Sequence, residues 1–258
     1  MASDATPAVT RAAADPGASA PDNRLALVQR FFEGTGASYD AMVQGATLGI
    51  DGLWKRRIVE CIPPDARRIL DLACGTGIST LAIAAARPRA QVVGVELRDE
   101  YLAFARAKLA GNPNVTWVLS RAEDYADPEP FDCIASSYLA KYADLPRLIR
   151  GNRAMLAPGG TLVMHDFMLP TSGVLRAVWR AYFMLMQQTV ARAFPAWKEI
   201  YHGLPKLIET TRWLHELPAL LEREGFEDVR VVPLTLQGSA LVCAERRRHP
   251  AAPCRPMM

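Results

Sequence analysis

Long apolar runs, paired cysteines and clustered histidines are what this chain lacks. No stretch approaches the roughly eighteen clean apolar residues of a membrane-spanning helix. The five cysteines, Cys61, Cys74, Cys133, Cys243 and Cys254, show no C-x-x-C spacing, and their number is odd. That pattern reads as reduced thiols and excludes both a disulfide framework and a thiolate zinc site. The four histidines share no ligand spacing, so no metal is expected. Excess charge is also scarce. Thirty Lys and Arg face 27 Asp and Glu, and the formal +3 leans on Arg246, Arg247, Arg248 and Arg255. A near-neutral body does not call for a nucleic-acid partner. Met1 to Asn23 has no apolar core of signal-peptide type, and Asp4, Asp15 and Asp22 do not suit a transit peptide. A cytoplasmic location is the expectation.

What is present fits one enzyme-sized domain: 258 residues, half of them hydrophobic. Disordered tails are expected at 1–23 and 246–258, flanking a domain at 24–245. From Leu25 to about Ile62 the pattern is helical and forms an N-terminal cap, closed by Pro63-Pro64. Strands then fall at 68–72, 91–96, 115–119, 131–135 and 160–165, with helices at 77–87, 99–109 and 144–155 between them. This alternation predicts an α/β fold with a mostly parallel sheet covered on both faces. Ala157-Pro-Gly-Gly160 reads as a tight turn feeding the fifth strand.

Beyond Asp166 the alternation stops. Val174, Leu175, Val178, Trp179, Tyr182, Phe183, Met186 and Val190 recur at helical spacing, ended by Pro195. A second helix follows near 214–224, then strands near 229–234 and 239–244, seven in all. The helical insert, about 170–215, would overhang the carboxyl ends of the strands, where ligands bind in open α/β sheets. Three readings stand for its main helix: core or lid packing, substrate lining, and peripheral membrane contact through Trp179 and Phe183 with Arg176, Arg180 and Arg192.

The richest segment is Arg68-Ile-Leu-Asp-Leu-Ala-Cys-Gly-Thr-Gly-Ile-Ser-Thr-Leu81, a strand breaking into a glycine turn and a helix start. Such a unit cradles nucleotide-type cofactors. It lacks the third glycine of a dinucleotide fingerprint and the Gly-Lys-Ser/Thr of a phosphate loop. The next strand ends in Glu96, nineteen residues after Gly77, positioned to accept hydrogen bonds from ribose hydroxyls.

At Asp71-Leu-Ala-Cys-Gly-Thr-Gly77 the chain resembles the class I S-adenosylmethionine (SAM) methyltransferases, which have a Rossmann-like fold. Tyr39-Asp, Gly49-Ile and Leu53-Trp-Lys, then Phe131-Asp-Cys-Ile134, Leu156-Ala-Pro-Gly-Gly160 and Leu221-Glu-Arg-Glu-Gly-Phe226, are similar to the ubiquinone/menaquinone biosynthesis C-methyltransferases over roughly residues 30–245. The resemblance implies that Asp71, Gly75, Thr76 and Gly77 frame the methionine part of SAM and that Glu96 holds the ribose. It places Ala122 at the adenine edge, Ser137 at the reacting centre and Tyr39 over the sulfonium. Two positions depart from the family. Arg121 replaces an Asp or Asn at the adenine amino group, and Lys141-Tyr142 replaces Arg-Asn after the fourth strand.

Methyl transfer to carbon needs alignment of the reacting atoms and a base for the acceptor's proton. His165, ending the fifth strand, and His202, in the insert, are the candidate bases. Lys141 would serve only with its pKa lowered by burial. The expected activity is methylation of a small lipophilic or aromatic acceptor, quinone-like or polycyclic. An N- or O-methyltransferase on a specialised metabolite or phospholipid headgroup is the alternative within enzymes, and a silent SAM-binding partner subunit is the one outside them. Oligomeric state is left open.

Overall fold

A computed structural model describes residues 23–248. Of the tails expected at 1–23 and 246–258, residues 1–22 and 249–258 lie outside the described residues. Asn23 already opens a helix, and Arg246 ends a strand, its guanidinium donating to the Leu156 carbonyl.

The cap is three helices, not one: α1 (Asn23–Phe32), α2 (Tyr39–Ala46) and α3 (Asp51–Cys61). Positive φ at Gly34, Leu48 and Gly49 makes the breaks. Next come β1 (Arg68–Leu72), α4 (Ile78–Ala86), β2 (Gln91–Glu96), α5 (Asp99–Lys108), β3 (Val115–Leu119), β4 (Phe131–Ser137), α6 (Leu145–Met155) and β5 (Leu156–Phe167). Then follow α7 (Gly173–Gln188), the short α8 (Val190–Ala193), α9 (Lys198–Thr210), α10 (Trp213–Arg223), β6 (Phe226–Leu234) and β7 (Ser239–Arg246). Strand order is β3-β2-β1-β4-β5-β7-β6. The first five strands run parallel and β7 lies antiparallel to both neighbours, so the sheet is mixed.

Two expectations are corrected here. Ala157-Pro-Gly-Gly160 is a bulge inside β5, between the pairs Leu156–Phe131 and Thr161–Cys133, with Gly159 at φ +80° supplying the irregularity. Helix α9 was not foreseen, because Gly203 and Pro205 mask its pattern. Pro205 has no N–H for the Tyr201 carbonyl one turn back, and the Gln187 side chain donates to that carbonyl instead, at 3.0 Å.

Alternation along the strands divides the core. Leu70, Leu72 and Ile134 pack with Leu148 and Ile149 of α6 and Leu217 of α10. Ile69, Val92 and Cys133 pack on the other face with Ile58 of α3 and Ile83 of α4. A third cluster joins Phe31, Met42 and Tyr142 to Trp197, Ile200 and Tyr201, so the cap and α9 meet above the carboxyl ends of the strands. Order reverses between β1 and β4, and that switch point opens beneath them.

Candidate active site

The turn after β1 holds Ala73, Gly75 and Gly77 at φ +54°, +59° and +84°. Its two glycines do different jobs. A Cβ on Gly75 would meet nothing within 4 Å, since Gly75 faces a cleft of about 810 Å³. One on Gly77 would sit 3.1 Å from the Ala105 Cβ and 3.2 Å from its Cα, so Gly77 lets α4 close on α5. Glu96, at the end of β2, accepts from Gly75 N–H and Arg98 N–H, each at 3.0 Å. Those bonds orient its carboxylate on the cleft wall, and burial raises its pKa against them. Tyr39, Ala122 and Ser137 line the same cleft.

Asp71 and Thr76 lie beneath it. Asp71 is fully buried and accepts from Thr80 Oγ at 2.7 Å; burial raises its pKa to about 6. Thr76 donates to Asp40 Oδ1 at 2.5 Å, and Lys108 joins the Thr76 carbonyl at 2.7 Å to the same Asp40. The first turn of α2 is thereby fastened to the glycine turn. Tyr39 sits beside that tether, its ring 5.2 Å from Tyr101 and 5.9 Å from Trp197. Arg121 also lines the cleft, 3.7 Å from Glu123 and 3.9 Å from Asp124; Glu123 faces the cleft and Asp124 does not.

A second cavity, about 1510 Å³, opens between the cap, α7 and α9. It shares Phe32, Tyr39, Tyr138 and Tyr142 with the first. Its wall is apolar and aromatic, and among the described residues Lys141 is its single charged side chain. Lys141 Nζ donates to Asp166 Oδ1 at 2.6 Å and to the Tyr138 carbonyl at 2.9 Å, which engages two of its three donors. Burial lowers its pKa and the Asp166 carboxylate opposes that shift.

Under the shared wall lies a buried polar network. Lys55 Nζ donates to Ser137 Oγ at 2.6 Å, pairs with Asp51 at 3.2 Å, and stands 4.4 Å from the Tyr138 ring centroid. Tyr138 OH donates to Asp51 Oδ1 at 2.6 Å. At φ +66° this bulky residue occupies the left-handed region, a strained backbone of the kind that collects at functional sites. Stacking on Phe167 at 4.8 Å and the bond from its N–H to the His165 carbonyl hold it there.

The two histidines fall elsewhere. His165 lines neither cavity. It has no exposed surface, its Nδ1 is 2.9 Å from Ser137 Oγ, and burial between Trp54 and Tyr138 beside two lysines pushes its pKa well down. His202 is exposed on α9, and its neighbour Tyr201 is the one turned into the second cavity. On α7, Phe183 is buried and Trp179 lines the cavity, while Arg180 pairs with Glu209. Those aromatic rings therefore face inward, Val178 is exposed at the cavity's edge, and Val174 stands outside. Asp51, Lys55 and Tyr138 were not singled out from sequence. The i, i+4 spacing of Asp51 and Lys55, and the place of Lys55 in the Leu53-Trp-Lys match, were signals for those two.

The ubiE/COQ5 methyltransferase family model matches residues 19–245. A demethylmenaquinone methyltransferase of Thermus thermophilus is 31% identical over 213 residues, covering 81% of this chain and 96% of its own. The ubiquinone/menaquinone biosynthesis C-methyltransferase UbiE of Serratia proteamaculans is 30% identical over 225 residues, covering 84% and 89%. The solved human N-acetylserotonin methyltransferase, in complex with SAM, superposes at a TM-score of 0.60 and 14% identity over 86% of this chain. This chain spans 59% of that one, under two thirds of its length, and the likeness shows the fold. The family match takes in the cap, the whole sheet and both cavities, and on that footing the chain belongs to the ubiE/COQ5 methyltransferase family.

Proposed function

We propose that the chain moves the methyl group of SAM onto a ring carbon of a lipophilic, quinone-like or polycyclic aromatic acceptor held in the apolar cavity. One observation carries this reading: an aromatic cavity of about 1510 Å³ with a lone lysine abuts the glycine-turn cleft through a common tyrosine wall. The cleft suits SAM. Gly75 leaves room for a close backbone approach, and Glu96 offers an oriented carboxylate at a strand end. Ala122, with Glu123 in place of the missing Asp or Asn, takes the adenine edge, and Ser137 borders the reacting centre. Asp71, Thr76 and Gly77 shape the turn from below. SAM supplies an electrophilic methyl group on a sulfonium sulfur.

Tyr39, on the wall between the cavities, presents an aromatic face to that cation. Helices α7 to α9 act as a lid that excludes water, which strengthens charge interactions inside. Lys141 stabilises the negative charge of an acceptor oxygen that enters the cavity as its oxyanion, and Asp166 keeps the lysine protonated and in place. His165 positions Ser137 from beneath and does not act as the base. Leu48, Val178 and Leu236 stand exposed on the rim of the cavity, which supports entry of a lipophilic acceptor from a lipid surface.

Calorimetric titration with SAM and S-adenosylhomocysteine, on wild type and Glu96→Ala, tests the first half. Binding should weaken at least about tenfold in the variant, since two hydrogen bonds to a charged acceptor are lost. A reduced naphthoquinone lacking its ring methyl tests the second half, beside a catechol and an ethanolamine phosphate. The product should carry the methyl on ring carbon. Lys141→Met should lower kcat about a hundredfold or more, as for loss of an oxyanion donor, with SAM affinity unchanged. Methylation confined to oxygen or nitrogen would overturn the carbon reading, and an absence of SAM binding would favour a silent partner subunit.

A further inference from the structure

Cys61 is the last residue of α3 and Cys243 lies within β7, 182 positions later, yet their sulfurs are 2.9 Å apart. That is closer than two unbonded sulfurs in simple contact. Cys61 is half-buried and open on one side, whereas Cys243 is 2% exposed, in the core layer formed by Ile58, Ile62 and Val163. The Cys243 thiol donates toward Cys61, and Arg230, which pairs with Cys243 across β6 and β7, adds positive charge. Together they bring the Cys61 thiol down to about 7, in the range of reactive thiols. Cys74 and Cys133 are buried with raised pKa values and have no thiol partner among the described residues.

We propose that Cys61 is a peroxide-reactive thiol and Cys243 its resolving partner, which together form a reversible bridge between α3 and β7. The Cys61 thiolate attacks one peroxide oxygen. The O–O bond breaks, the departing hydroxide takes up the proton Cys61 had released and leaves as water, and Cys61 becomes a sulfenic acid. The Cys243 sulfur then attacks the Cys61 sulfur, the S–O bond breaks, and a second water carries off the hydroxyl and the Cys243 proton. Two thiols lose two electrons and the peroxide gains them. The bridge fastens the helix that carries Asp51, Trp54 and Lys55 to the strand paired with β5, which holds His165 and Asp166. It also closes a long loop and so restricts the unfolded chain.

The test treats the reduced full-length protein with hydrogen peroxide and maps its peptides without reduction. A Cys61–Cys243 peptide should appear, with the intact mass lower by two hydrogens and the Tm raised, both reversed by a phosphine reductant. Cys243→Ser should instead accumulate a sulfenic acid at Cys61 that a dimedone probe captures, and Cys61→Ser should give neither product. Both thiols remaining alkylatable after peroxide would overturn the proposal. So would a bridge to Cys254, or dimedone capture of Cys243 in the Cys61→Ser variant. None of these readouts depends on methyl transfer, so the bridge and the activity stand or fall separately.

Discussion

At the scale of single residues, the two glycines of the turn show how one motif divides its work. Gly75 is open toward the cleft, whereas Gly77 is pressed on the backbone of Ala105. Alanine in the left-handed region costs about 1–2 kcal/mol in either place. Gly75→Ala should therefore lower Tm only slightly while weakening SAM binding at least about tenfold, because its methyl group enters the cofactor space. Gly77→Ala adds a steric conflict worth about 1–3 kcal/mol and should lose stability first, with binding falling as a consequence. Thermal melts and calorimetry on the pair check this. Equal Tm losses would sink the distinction.

Among elements, α9 is the piece on which the second cavity depends. It carries Ile200, Tyr201 and Leu204 on the cavity wall and packs on α1 through Gly203, where a Cβ would lie 2.4 Å from the Phe31 ring. Phe31 is 1% exposed and edge-on to Tyr142 at 6.3 Å, so it has little room to yield. Gly203→Ala should push α1 and α9 apart, costing about 1–3 kcal/mol. Hydrogen exchange should accelerate in α1 and α9 while the strands of the sheet stay protected. Uniform acceleration across the sheet would contradict a cap packed separately from the core.

For the molecule as a whole, buried ionisable groups set the pH dependence of stability. Asp71 has its pKa raised from 3.8 to about 6 by burial. Between those values the folded state holds a proton that the unfolded state has released. Its stabilisation is thus complete below 3.8 and lost as pH rises through 6, a change of about 3 kcal/mol. Asp71→Asn has no such slope. Across pH 4 to 7 the variant should gain on wild type by about that amount, measured by denaturant unfolding at each pH. A constant difference would show that Asp71 is ionised throughout. His165, neutral and buried, works in the other sense: it costs stability as pH falls below its ordinary range, and it cancels in the comparison.

The sequence by itself determined the βαβ order, the mostly parallel seven-stranded sheet, the glycine turn and the carboxylate of Glu96, whereas the antiparallel β7 came from the structure. Each of these depends on neighbours a few residues apart or on a single strand-to-strand spacing, and periodicity and turn chemistry record such things directly. The three-way break of the cap was hidden because helical pattern persists across Gly34 and Gly49. Helix α9 was hidden because Gln187, eighteen positions upstream of Pro205, repairs the bond the proline lacks. Only the tertiary structure decided that His165 lies sealed under Tyr138, that Lys141 is the charge facing the apolar cavity, that Lys55 meets Ser137 across 82 positions and that Asp51 meets Tyr138. It alone brought Cys61 to Cys243. Burial and long-range pairing arise from how whole helices close over the sheet, and no local stretch of chain encodes which side chain that closure will cover.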